Sequence, residues 1–109
     1  REKVLEFDRL GVPWANVVAF VGHQPPEDPE LYRMIHERGA LCMIGTSRNL
    51  DRHYQADMAA GLAPLESGYL AYLARGADLI ETDIPVPLGA LLFSDPRIPA
   101  AKAGCFRLE

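Results

Sequence analysis

The side chains of this chain that could do chemistry are three histidines, two cysteines and one short acidic motif. Glu81-Thr82-Asp83 is a Glu-x-Asp pair, and alternate residues of a strand place both carboxylates on one face, where a hard cation could be held. His23 follows Gly22 and precedes Gln24, so the two could meet a phosphate or a hydroxyl; the plainer reading is a polar loop before Pro25-Pro26. Gly45-Thr46-Ser47 reads as a small phosphate-friendly turn ahead of a helix, since backbone amides and hydroxyls converge there. It is too short for a P-loop and lacks that motif's lysine. Arg48 and Arg52, beside His53, share one helical face and could attract an anion, but Asp51 and Asp57 dilute the charge, leaving a solvated helix start. His36 lies within a helical pattern and reads as a solvated or packed imidazole. Cys42 sits in the apolar run Leu41-Cys42-Met43-Ile44 as a small buried residue without an activating base. Cys105 falls in an irregular tail. No Ser-His-Asp or Cys-His nucleophile system is legible.

These residues hang on a repeating pattern. Gly11, Gly39 and Gly76 each follow a charged, helix-like segment and precede an apolar run. Glycine just past a helix end supplies the left-handed conformation that other residues resist. The apolar runs at 17–21 and 41–44 read as strands buried on both faces of a parallel sheet, and 78–83 holds the same place. Asp28-Pro29-Glu30 is a helix start with a capping Asp, and Leu31, Met34 and Ile35 form its apolar stripe. Further helices are predicted over 4–10, over 49–60 with Asn49 as cap, over 65–75 and over 85–93, with Trp14 packing over the sheet's end. The order α-β-α-β-α-β-α predicts right-handed crossovers and an α/β fold with a parallel βαβαβ sheet. The partial domain covers 1–93 and a tail covers 94–109.

At 109 residues, 49% of them apolar and 24% charged, the chain has the balance of an ordinary globular domain. An eight-stranded β/α barrel needs roughly 250 residues, or roughly 31 per βα unit, so one copy of this chain holds no complete barrel. Three parallel strands leave two open edges, which predicts further strands from another segment or a second chain. The net charge of −4, without a Lys/Arg stripe interleaved with aromatics, excludes an electrostatic case for nucleic acid. No apolar stretch approaches the roughly 18 residues of a membrane span. The start Arg1-Glu2-Lys3 lacks a signal peptide's apolar stretch; the compartment stays open, with cytoplasm as the default.

Val18-Ala19-Phe20-Val21-Gly22, Leu41-Cys42-Met43-Ile44-Gly45-Thr46 and Gly76-Ala77-Asp78-Leu79-Ile80-Glu81-Thr82-Asp83-Ile84-Pro85, in that order and spacing, resemble the C-terminal part of the glycerophosphodiester phosphodiesterase family. The last run carries the family's final-strand pattern. The resemblance implies the last three βα units of an eight-stranded β/α (TIM) barrel. The complete enzyme would hydrolyse a glycerophosphodiester to an alcohol and glycerol 3-phosphate with a divalent cation, calcium or magnesium. The family's His-Arg and His-Asp dipeptides do not occur in this sequence. No catalytic or metal residue is therefore carried over, and this chain alone is expected to be inactive and to hold no cation. In the family's context Glu81-Thr82-Asp83 belongs to the final strand, with Asp83 capping the helix that Pro85 opens. His23, Gln24, Thr46, Ser47 and Glu81 are expected on the substrate rim. Two other readings stand beside this one: a non-enzymatic module that forms a homo-oligomer through its strand edges, and a small anion-binding domain using the Gly45-Thr46-Ser47 turn.

Overall fold

The computed structural model describes residues 1–61 and 66–94. Its elements are α1 (Glu2–Asp8), a 3-10 turn (Trp14–Asn16), β1 (Val18–Phe20), α2 (Pro29–Glu37), β2 (Leu41–Gly45), α3 (Leu50–Ala59), α4 (Glu66–Arg75), β3 (Leu79–Glu81) and α5 (Pro85–Ser94). The strands form one parallel sheet in the order β1-β2-β3, the arrangement of a partial β/α barrel. The tail predicted from 94 onward lies, beyond Ser94, outside the described residues. Among the described residues no helix is long and apolar enough to cross a membrane.

Local signals account for most of these boundaries. The Asp28 side chain accepts the Glu30 N–H at 2.9 Å, and Pro29 opens α2, as a capping Asp before proline should. α2 and α4 end alike: the Ala40 N–H reaches back to the Ile35 carbonyl and the Ala77 N–H to the Tyr72 carbonyl, with Gly39 and Gly76 at positive φ between. Asn49 is different. Its side chain makes no capping bond to α3; instead the backbone N–H groups of Asn49 and Asp51 both donate to the Thr46 carbonyl, so a backbone turn starts this helix.

The strands are not buried on both faces as their apolar runs suggest. In register, Ala19 pairs with Cys42 and Ile44 with Ile80, and these side chains face the helices. Val18 with Leu41, Phe20 with Met43 and Leu79, and Gly45 with Glu81 form successive rows on the other face. There Val18, Phe20, Leu41 and Leu79 are exposed. The sequence is written for two-sided burial, but among the described residues the helices cover one side. The covered side holds a core of Val4, Tyr32, Ile35, Cys42, Ile44 and Tyr72. A second cluster joins Tyr54, Tyr69, Leu73, Ile84, Leu88 and Leu92 across α3, α4 and α5. Grooves of about 530 Å³ beside β1 and about 380 Å³ beside β3 flank the two sheet edges.

Trp14 does less at the sheet's end than at the N-terminal helix, packing edge-on against Phe7 at 4.7 Å and donating its indole N–H to Asp8 at 2.7 Å. Arg38 closes the same knot with a two-pronged bond to the Asp8 carboxylate, at 2.9 and 2.8 Å. The Arg38 hydrogen bond is the main cause holding the Asp8 carboxyl below its ordinary value. A carboxyl whose pKa is lowered by folding stabilises the fold above its unfolded pKa of about 4 and loses that contribution as pH falls through the lower folded value. Asp8→Asn should therefore melt at a lower temperature than the parent near pH 7, with the gap closing as both are titrated below about pH 4. A gap independent of pH in paired thermal melts would show that the ion pair contributes nothing.

Candidate functional site

The C-terminal ends of the three strands meet at one rim, where active residues collect in β/α architectures. β1 runs into Val21, Gly22 and His23, β2 into Thr46 and Ser47, and β3 ends at Glu81 with Thr82 and Asp83 following. The loop carrying His23 and Gln24 is pinned from below. Tyr32 of α2 donates its hydroxyl to the Pro26 carbonyl at 2.9 Å, and Tyr72 of α4 donates to the Pro25 carbonyl at 3.1 Å. The Gly45 N–H donates to the Gly22 carbonyl and fixes the other end of the loop.

His23 and Glu81 converge over Gly45. His23 Nδ1 lies 3.7 Å from a Glu81 carboxylate oxygen. A Cβ added to Gly45 would come within 2.7 Å of His23 Nδ1, 3.0 Å of Glu81 Oε2 and 3.0 Å of Phe20 Cζ. Only glycine leaves room for an imidazole from one flanking strand and a carboxylate from the other to approach across β2. The His23 ring rests edge-on against Phe20 at 5.1 Å, and its Nδ1 is buried without a hydrogen-bond partner. A buried polar nitrogen beside a half-exposed carboxylate is an unfinished arrangement, suited to a hydroxyl that donates to one group and accepts from the other.

Beneath the rim is a residue that sequence reasoning passed over. Asp51, at 1% exposure, accepts four hydrogen bonds: Thr46 Oγ1 at 2.8 Å and Tyr69 Oη at 2.8 Å on one oxygen, Thr82 Oγ1 at 2.7 Å and the Asp83 N–H at 2.8 Å on the other. It ties the loop after β2, the loop after β3 and helix α4 into one unit. Burial and the bond to Asp51 both push the Tyr69 phenol up, burial more, so it remains a donor. The signal that could have revealed Asp51 is its place two residues after Asn49 in the first helical turn, too common a position to single out.

The predicted rim residues therefore separate. His23 and Glu81 are brought together; Gln24 is exposed and Ser47 half-buried on the same end. Thr46 is buried at 1% exposure, its hydroxyl engaged by Asp51, so it braces the rim from below. The Gly45 and Thr46 amides donate to the carbonyls of Gly22 and Glu81, so neither is free for the anion expected at this turn. Helix α5 starts at Pro85, which leaves Asp83 one residue too far upstream for the cap position. The Ile84 N–H goes to the Thr82 hydroxyl, and Asp83 contributes its backbone N–H to Asp51. His53 and Arg52 are exposed on α3, and Arg48 is exposed in the turn before it. His36 is neither simply solvated nor packed: its Nε2 is hydrogen-bonded to Asp78 at 2.7 Å.

Among the described residues Glu81 and Asp83 gather no third ligating side chain at this rim for the hard cation that the resemblance implies. The oxygens of Asp51 are occupied by four donors. Among the described residues, the group of three ligating side chains that come close enough for a metal is His36, Cys42 and Asp78, at the opposite end of the sheet and with a thiol that calcium and magnesium avoid. No chemical step through such a cation is assigned to these residues.

Comparison with solved structures gives a partner for the whole arrangement. A crystal structure of a glycerophosphoryl diester phosphodiesterase from Parabacteroides distasonis superposes with a TM-score of 0.72 at 28% sequence identity, over 95% of this chain. The chain resembles that phosphodiesterase. It spans 35% of the enzyme's length. No family model matches the sequence, and no curated protein does. The match is to a partial β/α-barrel unit of that structure.

Proposed function

We propose that this chain supplies the last three βα units of a glycerophosphodiester phosphodiesterase-like barrel, contributing part of the substrate rim but no catalytic group. One observation carries this reading. The open sheet face is layered like a barrel interior, apolar through Val18, Leu41, Phe20, Met43 and Leu79, and turns polar only at Glu81 and His23. A self-sufficient domain would cover such a face. On this reading His23, Gln24, Ser47 and Glu81 bind and orient the glycerol and phosphate portions of a phosphodiester, while Asp51 and Thr46 hold the rim rigid. Proton transfer and cation binding fall to the units carrying the family's His-Arg and His-Asp dipeptides, neither of which occurs in this sequence.

The test is hydrolysis of glycerophosphocholine with added calcium or magnesium. The chain alone is expected to give no turnover. Refolded together with the part of the Parabacteroides distasonis enzyme that it does not match, it should give cation-dependent turnover. His23→Ala in that mixture should then lower kcat/KM by roughly 10-fold or more, the usual loss for a hydrogen bond to a charged or phosphate-bearing group. Turnover by the pure chain would overturn the division of labour. A chain that pairs only with itself and ignores the complementary piece would favour a homo-oligomeric module instead.

A further inference from the structure

We propose that His36, Cys42 and Asp78 form a binding site for a single zinc-class divalent ion at the N-terminal end of the sheet, away from the substrate rim. The site does not depend on the phosphodiesterase reading. An imidazole nitrogen, the thiol sulfur and a carboxylate oxygen all lie within 4.8 Å of one another. They come from three separate elements: His36 from the last turn of α2, Cys42 from β2, and Asp78 from the residue that leads into β3. Sequence separations of up to 42 residues are closed by the parallel register and the two crossovers, so the cluster exists only in the folded chain.

The donor set selects the ion. One thiolate, one imidazole and one carboxylate suit zinc and its neighbours, which bind such mixed sets with an open fourth position for water. Calcium and magnesium demand oxygen ligands and are excluded. Zinc bonds of about 2.0 to 2.3 Å set ligand atoms roughly 3.4 Å apart in a tetrahedron. His36 Nε2 and Asp78 Oδ2, now 2.7 Å apart, need to separate by less than about 1 Å. The His36 and Asp78 side chains are 35% and 14% exposed, and a surface cavity of about 330 Å³ lined by Glu30, Glu37 and His36 among others opens to the imidazole, so an ion can enter from solvent. Cys42, buried, closes the inner side. Asp78 Oδ2 also accepts the Cys42 N–H at 2.8 Å, which holds carboxylate and thiol in register before any ion arrives.

Binding replaces the Cys42 S–H bond with a metal–sulfur bond and releases that proton to the buffer, with no change of oxidation state. Cobalt(II) added to the metal-free chain is the direct probe, followed by zinc titration calorimetry. The expected result is one ion per chain, a thiolate-to-cobalt charge-transfer band in the near ultraviolet, and a higher melting temperature with zinc. Cys42→Ser should abolish the band, and Cys105→Ser should leave it intact. His36→Gln, at an exposed position that preserves the fold, should weaken zinc about 10-fold or more, since even outer-shell partners of metal ligands are worth 10–100-fold. His23→Gln at the rim should leave affinity unchanged. Absence of the charge-transfer band, or zinc affinity unaltered by His36→Gln, overturns the proposal whatever the outcome at Cys42.

Discussion

Asp51→Ala is expected to destabilise the fold by about 3–4 kcal/mol, the range for emptying a buried, hydrogen-bonded charge site. The carboxylate is nearly inaccessible and accepts from Thr46, Tyr69, Thr82 and the Asp83 backbone. Alanine removes both acceptor oxygens and with them all four hydrogen bonds at once. The three hydroxyls can rotate in search of other partners, but the Asp83 N–H is fixed by the backbone and is left unsatisfied. Asp51→Asn separates shape from charge. Whichever oxygen becomes an amide nitrogen then faces donors it cannot accept from, and a loss of about 2 kcal/mol is expected. Urea unfolding of the parent and both variants measures this. A loss below about 1 kcal/mol for the alanine variant would show that the network is dispensable. The same variant should lower activity of the reconstituted enzyme, because the loop carrying Ser47 and the loop that follows Glu81 lose their common anchor.

The second large effect is expected at Gly76, judged against Gly39. Both glycines end helices at positive φ, 131° and 88°, so alanine at either is strained by about 1–3 kcal/mol. Their surroundings differ. A Cβ at Gly39 meets nothing within 4 Å, whereas at Gly76 it would lie 2.7 Å from Tyr32 Cβ and 3.3 Å from His36 Cε1. The nearer atom is bonded directly to the α2 backbone and cannot swing aside, so the helix itself must shift. Overpacking of that kind adds about 1–3 kcal/mol to the conformational strain. Gly76→Ala should therefore cost more than Gly39→Ala, and chemical denaturation of the two variants side by side reads the clash as their difference. Equal losses would mean that α2 yields freely where it crosses the end of α4. Displacement of α2 would also move His36, so zinc binding by Gly76→Ala is expected to weaken while Gly39→Ala retains it.

Much of the architecture was legible because its determinants are local. Asp28-Pro29-Glu30 caps a helix through atoms two residues apart, and the glycines after α2 and α4 mark their own left-handed turns. The apolar runs located all three strands within a residue or two. Less legible was what the strands face. A continuous apolar run records that both sides are meant to be buried, but not whether this chain supplies both covers. The described residues supply one, and Val18, Phe20, Leu41 and Leu79 stay exposed on the other face.

The site divides along the same line. His23 and Glu81 were recognisable as polar residues at strand ends, because strand direction and the βα alternation already place such residues on one rim. The sequence by itself determined the element order, the parallel sheet, the family resemblance and the lack of that family's catalytic pairs. Only the tertiary structure decided that Gly45 is the gap through which His23 and Glu81 meet, that Asp51 is the hub beneath them, and that His36 and Asp78 join Cys42 at the other end. The physical reason is separation along the chain. Capping and periodicity act across a few residues, whereas the bonds Asp51–Thr82, His36–Asp78 and the pair His23–Glu81 join positions about 30 to 60 apart, and strand register is what brings them into reach.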